Sequence, residues 1–374
     1  MAAPLVERLL QSIASESDPT RRAEDIALLA CYEARVGEFD AAEEKRLQLR
    51  RDFGSGHYPR ISILLMCLEA LQLYFRELSP KARDRMHRAN LISGLVKETQ
   101  LEALTSAWLA HIDFNLGSYD SMATELFKCF QNLGADDGSA ECRATLVLGD
   151  AHLFVGSEQD ARKWHDKARV LASKLGDQAA FGAITYNRAA MRVAVARIES
   201  LESEIDLSRL SMLDTEVRSA ISYQGTARLK SLDHLLGSAS AGVRVLRGQY
   251  ELAEHSIDAA LSSGEVPAGT GEEYLLYADR ARCLSLRGAT DRAALDAAFV
   301  LTGSLDRLSP DDRAVVEDSL SHYFASIGQP DAAIAHRNES KRALEAHMST
   351  VSKLKVVLKP FSEEPWSSLD NQPA

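Results

Sequence analysis

Residues 138–177 read GSAECRATLVLGDAHLFVGSEQDARKWHDKARVLASKLGD, a stretch punctuated by small residues. Leu148-Gly149 lies in a first helical segment, Gly156-Ser157-Glu158 marks a turn, and Ala161 and Ala168 recur two helical turns apart in a second segment. Glycine and alanine put almost no bulk between two antiparallel helices, so the backbones can approach closely. The stretch therefore predicts one complete helix–turn–helix hairpin.

Outward from this unit the same punctuation recurs. Gly37-Glu38-Phe39, Gly117-Ser118-Tyr119, Gly248-Gln249-Tyr250, Gly288-Ala289-Thr290 and Gly328-Gln329-Pro330 each mark a turn, and Ala42, Ala253, Ala293 and Ala333 follow their glycines as Ala161 follows Gly156. The turns fall about 40 residues apart except for two gaps of about twice that, each of which hides a degenerate hairpin. In the first gap Ser79-Pro80 replaces the glycine, because a Ser N-cap followed by Pro starts a helix unaided. In the second, residues 179–198 and 207–220 read as helices joined by a Glu-rich connection. The prediction is a capping helix within residues 1–19, eight hairpins over 20–350, and in 351–374 the end of a long helix followed by a disordered acidic tail.

This pattern resembles the tetratricopeptide repeat, which has Leu-Gly in its first helix, Gly-x-Tyr at its turn and Ala twice in its second helix. The unit is longer than the ~34 residues usual for that repeat and nearer the ~40–47 of HEAT repeats. Phe39, Tyr119 and Tyr250, the aromatics two residues past their turn glycines, side with long tetratricopeptide-like repeats similar to those of bacterial regulator and sensor arrays. The resemblance implies an all-α, right-handed α-solenoid whose concave groove is lined by the first helix of each pair. It places Trp108, His111, Phe114 and Asn115, then Arg143, Leu146, Asp150 and Phe154, on or near that groove, with Asn187 and Arg282 as counterparts further on. Relatives that clamp a terminal carboxylate use Lys and Asn at set positions; Ala107, Leu146 and Ser238 stand where the Lys would fall, so that clamp is not implied.

Bulk properties narrow the function. A net charge of −11 disfavours nucleic acid and anionic lipid as ligands, and no run of ~18 uncharged apolar residues suggests a membrane span. Five cysteines without a CxxC, and an N-terminus with Glu7 and Arg8 inside its apolar run, point to a reducing, cytoplasmic setting without a signal peptide. The histidines show no HExxH or zinc spacing, and no G-x-S-x-G or dinucleotide fingerprint is present, so neither metal nor cofactor is expected. The loop Val266-Pro267-Ala268-Gly269-Thr270-Gly271 lacks the Lys of a phosphate loop and runs into Glu272-Glu273, which reads as an inter-repeat loop with an acidic first helical turn. The basic run from Lys81 to Arg88, with Arg50, Arg51 and Arg60 nearby, reads as a solvated helix face.

Near the C-terminus Leu344, Met348, Val351, Leu354 and Leu358 form one apolar stripe, which either caps the array or makes a homodimer seam. Phe361, Trp366 and Leu369 offer a short docking motif within the tail. The functional expectation is a non-catalytic scaffold or regulatory adaptor holding a peptide or helix of a partner protein in its groove. One alternative is a signalling input module acting on an output domain in trans, which predicts that removing the last helix abolishes association. Another is an α/α enzyme with an acidic pocket that no motif announces, which predicts several carboxylates converging in one closed pocket.

Overall fold

The computed structural model describes residues 3–54, 56–77, 79–135, 137–231, 233–264 and 266–362. Among these residues every regular element is helical. After α1 (Pro4–Ser15) come α2 (Pro19–Val36), α3 (Phe39–Phe53), α4 (Pro59–Glu77), α5 (Lys81–Leu95), α6 (Thr99–Asn115), α7 (Tyr119–Gln131), α8 (Gly138–Phe154) and α9 (Glu158–Leu175). The remainder are α10 (Gln178–Glu199), α11 (Leu207–Ala227), α12 (Asp233–Leu246), α13 (Tyr250–Ser262), α14 (Gly271–Leu286), α15 (Thr290–Thr302), α16 (Pro310–Ser326) and α17 (Pro330–Ser362). None of the described helices is long and apolar enough to cross a membrane.

The local chemistry explains the boundaries. Asp18 caps α2 by accepting the Thr20 amide at 2.8 Å, with Pro19 at the first helical position. Gly37, Gly117, Gly156, Gly248, Gly288 and Gly328, the six turn glycines of the sequence, all take left-handed φ values between 67° and 87°. Ala42, Ala161, Ala253, Ala293 and Ala333 are all buried where the second helix begins, and Met122 fills that place after Gly117. Gly37 meets two demands at once: its φ is +87°, and a Cβ there would sit 3.0 Å from the Ser231 backbone nitrogen.

Contacts group the chain into two units. Unit 1 comprises Met1–Thr185, Gly225–Ser231 and Leu354–Ala374; unit 2 comprises Tyr186–Gln224 and Leu232–Lys353. In unit 1 each odd-numbered helix from α3 to α9 packs on the helix before it, while α2, α4, α6 and α8 also pack on one another in sequence order. Ala27, Leu49, Leu64, Leu68, Met86 and Leu109 are among the core they share. The helix α1 precedes the first hairpin. It lies on α2, but Leu5 N also donates to Gly176 O at 3.3 Å and Arg8 to Leu175 O at 2.5 Å, so α1 ties the first hairpin to the end of the fourth. The apolar face of a short helix is buried better between two neighbours than on one. Part of the basic run on α5 is paired in place, Arg83 with Asp113 and Arg85 with Glu69 at 2.8 Å, and Arg60 of α4 pairs with Glu24 at 3.0 Å.

The last turns of α17 also belong to unit 1. Leu354, Leu358 and Phe361 are buried, and Phe361 stacks on Phe127 at 4.4 Å. Leu344, which packs with Ala314, and Val351 are buried too, leaving only Met348 of the stripe exposed. Four of its five residues are thus buried within the chain. Phe361 is unavailable for docking, and the other two residues of that motif, Trp366 and Leu369, lie outside the described residues.

In unit 2, Ala189, Val193, Leu210, Leu213, Val217 and Val243 join α10, α11 and α12, and Tyr274, Leu284, Val300, Val316 and Leu320 join α14, α15 and α16. The loop before α14 is as the sequence suggested: Thr270 caps the helix by accepting the Glu273 amide, and Glu272 and Glu273 occupy its first turn. Partial burial lifts the Glu272 carboxyl from the usual 4.5 to about 7 against a hydrogen bond from Ser238. Asp312, beside Gly271, is likewise pushed upward by burial and then by Asp311, with Glu272 adding to the push and Ser309 and Arg197 opposing it. Both groups hold protons in the folded state that the unfolded chain releases above about pH 4. Their stabilising contribution is therefore complete below about pH 4 and is lost as pH rises from there through about 7. We expect Glu272→Gln with Asp312→Asn to raise the melting temperature at pH 8 and to flatten its decline between about pH 5 and pH 8. Circular dichroism melts with an unchanged slope would exclude these two groups as its source.

Candidate ligand site around Trp108 and Arg143

Helices α6 and α8 are buried almost all the way round, because each packs on its own partner and on the first helices of neighbouring hairpins. Side chains on their inner faces are consequently sealed too. Trp108 is 5% exposed, Arg143 5%, His111 6% and Asp150 1%, which corrects the expectation that these residues line an open groove. Leu146 is a core residue, packed with Ala168, Ala172 and Ile184 instead of facing inward. Phe114 and Phe154 are half-buried and Asn115 is exposed. Asn187 and Arg282 lie in unit 2, where Arg282 pairs with Asp318 at 3.4 Å.

Four first helices, the second helix α9 and one turn supply that cluster. The Arg143 guanidinium lies over the Trp108 ring, 3.9 Å from its centroid, and Arg35 at the end of α2 stands 5.9 Å from the same ring. Arg35 is neutralised by Asp177, which takes two parallel hydrogen bonds from it at 2.9 Å each. Asp177 also caps α10 by accepting the Ala180 amide at 2.9 Å. Arg143 has no such partner: among the described residues no carboxylate or hydrogen-bond acceptor pairs with it. Burial, and then repulsion from Arg35, bring its pKa down to about 10, so it remains charged at neutral pH.

A hydrogen-bond relay leads from this charge to the surface. Asn115 Nδ2 donates to Tyr74 Oη at 3.1 Å, and Tyr74 Oη is also hydrogen-bonded to His111 Nε2 at 3.1 Å. Burial, then the Arg143 charge, hold the His111 pKa well below its usual value, so the ring is neutral. About two turns along α8 from Arg143, Asp150 meets His165 of α9 at 2.9 Å, both buried. Where α6 and α8 end, Phe114, Tyr119 and Phe154 form a ring trio with centroids 6.2 Å apart, less buried than the cluster and beside Asn115.

The geometry is that of a cationic, aromatic interior with an aromatic rim. The chain matches no family model and no curated protein. Arg35, Tyr74, His165 and Asp177 complete the cluster and were not foreseen. Asp177 before a helix start is a legible N-cap, and Arg35 just before the Gly37 turn occupies a helix end. Nothing local joins two residues so far apart in sequence.

Proposed function

We propose that the chain is a non-catalytic, tetratricopeptide-like α-solenoid module that binds a segment of a partner protein, with the rim of unit 1 as the contact. The observation that carries this reading is the trio of Phe114, Tyr119 and Phe154. It sets aromatic surface, with the exposed Asn115 amide beside it, at the ends of two adjacent first helices. Half-exposed aromatics next to a polar group are the composition of binding hot spots, where the ring supplies area and the amide supplies direction. The paired helices and their recurrent left-handed glycine turns support the repeat reading.

Affinity capture from the native host tests it. Phe114→Ala with Phe154→Ala should reduce the captured partner at least tenfold, since truncating two hot-spot rings costs about 2–4 kcal/mol. Circular dichroism on the same variant checks that the helices persist. A partner retained at wild-type level by the folded double variant would remove the rim from consideration.

A further inference from the structure

The unspent polar groups around Trp108 are two guanidinium groups and one imidazole nitrogen. The Arg143 fork has no acceptor among the described residues, Arg35 Nε is sealed without a partner beyond its two bonds to Asp177, and His111 Nδ1 is sealed and unbonded. None of the Arg143 nitrogens is among the sealed, unpartnered atoms, so the guanidinium edge reaches water although the residue as a whole is buried. A buried guanidinium that is neither paired nor fully hydrated is costly to keep, and ordinary packing would favour an apolar side chain there.

We propose that the interior of unit 1 is a binding site for a small organic monocarboxylate, held by Arg143 with Arg35 Nε–H and His111 Nδ1–H as further donors. This goes beyond partner binding at the rim and does not depend on it. Charge sets the class. Asp177 already pairs with Arg35 and Asp150 with His165, which leaves Arg143 as the guanidinium of this cluster without a carboxylate, and a doubly charged phosphate would bring a surplus negative charge close to Asp177 and Asp150. Shape agrees, because a planar carboxylate matches the guanidinium fork. The walls suit an apolar body: Phe75 lies 6.0 Å from the Trp108 ring and Tyr74 5.4 Å from that of His111. Enclosure favours a free acid over a peptide end, which would need an opening wide enough for a chain.

Calorimetric titration of the full chain with benzoate, phenylacetate and hexanoate tests the proposal, with benzamide, inorganic phosphate and a tetrapeptide bearing a free C-terminus as contrasts. At least one acid should bind with a Kd in the millimolar range or tighter and raise the melting temperature. Benzamide and phosphate should not bind. Arg143→Met, which keeps the volume and removes the charge, should abolish binding while melting no lower than the unliganded wild type. Arg143→Lys, which keeps the charge and loses the fork, should weaken binding at least tenfold. Failure of all three acids, phosphate binding as tightly as any of them, or binding of the tetrapeptide alone would overturn the proposal. An Arg143→Met chain that binds the acids normally would do the same. Capture of a partner at the rim would be untouched by these results, so the two readings fail separately.

Discussion

Asp177→Ala is expected to lower the stability of unit 1 by about 3–5 kcal/mol, the usual cost of removing one member of a buried ion pair. Asp177 is 4% exposed, and its carboxyl is the only one that pairs with Arg35 among the described residues. Burial pushes its pKa up, but the Arg35 charge and the hydrogen bonds from Arg35 and Ala180 overcome that and hold it below the usual carboxylate value. Its removal strands Arg35 beside the already unpaired Arg143 and strips α10 of its cap, which alone is worth about 1 kcal/mol. Asp177→Asn should cost less, since the amide oxygen can still cap the helix while the charge is lost.

Trp108 and Trp164 both lie in unit 1, so tryptophan fluorescence in a Trp366→Phe background reads this unit's unfolding in denaturant. The sign with pH follows from the depressed pKa. The stabilisation is complete above the unfolded value of about 4 and is lost as pH falls through the folded one, and the Asn variant should lack that acid-side loss. A midpoint for Asp177→Ala within about 1 kcal/mol of wild type would mean that water replaces the carboxylate and that the pair is not structural.

The helices were legible in the sequence because their punctuation is local. A turn glycine needs only its own φ, and the six that mark turns all adopt the left-handed region. Thr270 starts its helix through an amide a few residues away, and the alanines after the turns are buried by the adjoining helix. The expected Ser79 N-cap with Pro80 at the first helical position is shifted by one, since α5 begins at Lys81 with Pro80 at its N-cap and no side-chain cap. The inner face was legible as a set of residues and illegible as a surface. Trp108, His111, Arg143 and Asp150 do come together, but the same stretch gives no sign of what seals them. The seals come from afar: α1 reaches Gly176, Lys230 donates to Val36 O at 3.0 Å, and Arg35 meets Asp177 across 142 residues of chain. Charge pairing at such separations depends on how the helices stack, which periodicity does not encode. The apolar stripe of α17 shows the same limit, since spacing identified its buried face without saying which residues cover it.

Gly149→Ala is the second substitution with a large expected effect, and its sign is opposite to the local rule. In a helix interior alanine is normally better than glycine by about 1 kcal/mol. At this position, however, a Cβ would fall 2.6 Å from Nε2 and 2.9 Å from Cγ of His165, well inside contact distance. The imidazole cannot step aside cheaply, because it is 2% exposed and holds Asp150 at 2.9 Å. Either α8 and α9 move apart or the ring leaves and strands a buried carboxylate, so Gly149→Ala should destabilise unit 1 by about 2–3 kcal/mol. Gly149→Val should cost more. His165→Ala alone should also destabilise, by removing the partner of Asp150, but it opens the space that the new methyl group needs. The double variant Gly149→Ala with His165→Ala should therefore be no less stable than His165→Ala alone, a coupling of about 2 kcal/mol or more in a double-mutant cycle read by the same fluorescence. If the two losses simply add, helix separation is set elsewhere along α8 and α9. The glycine would then owe its place to something other than the histidine it faces.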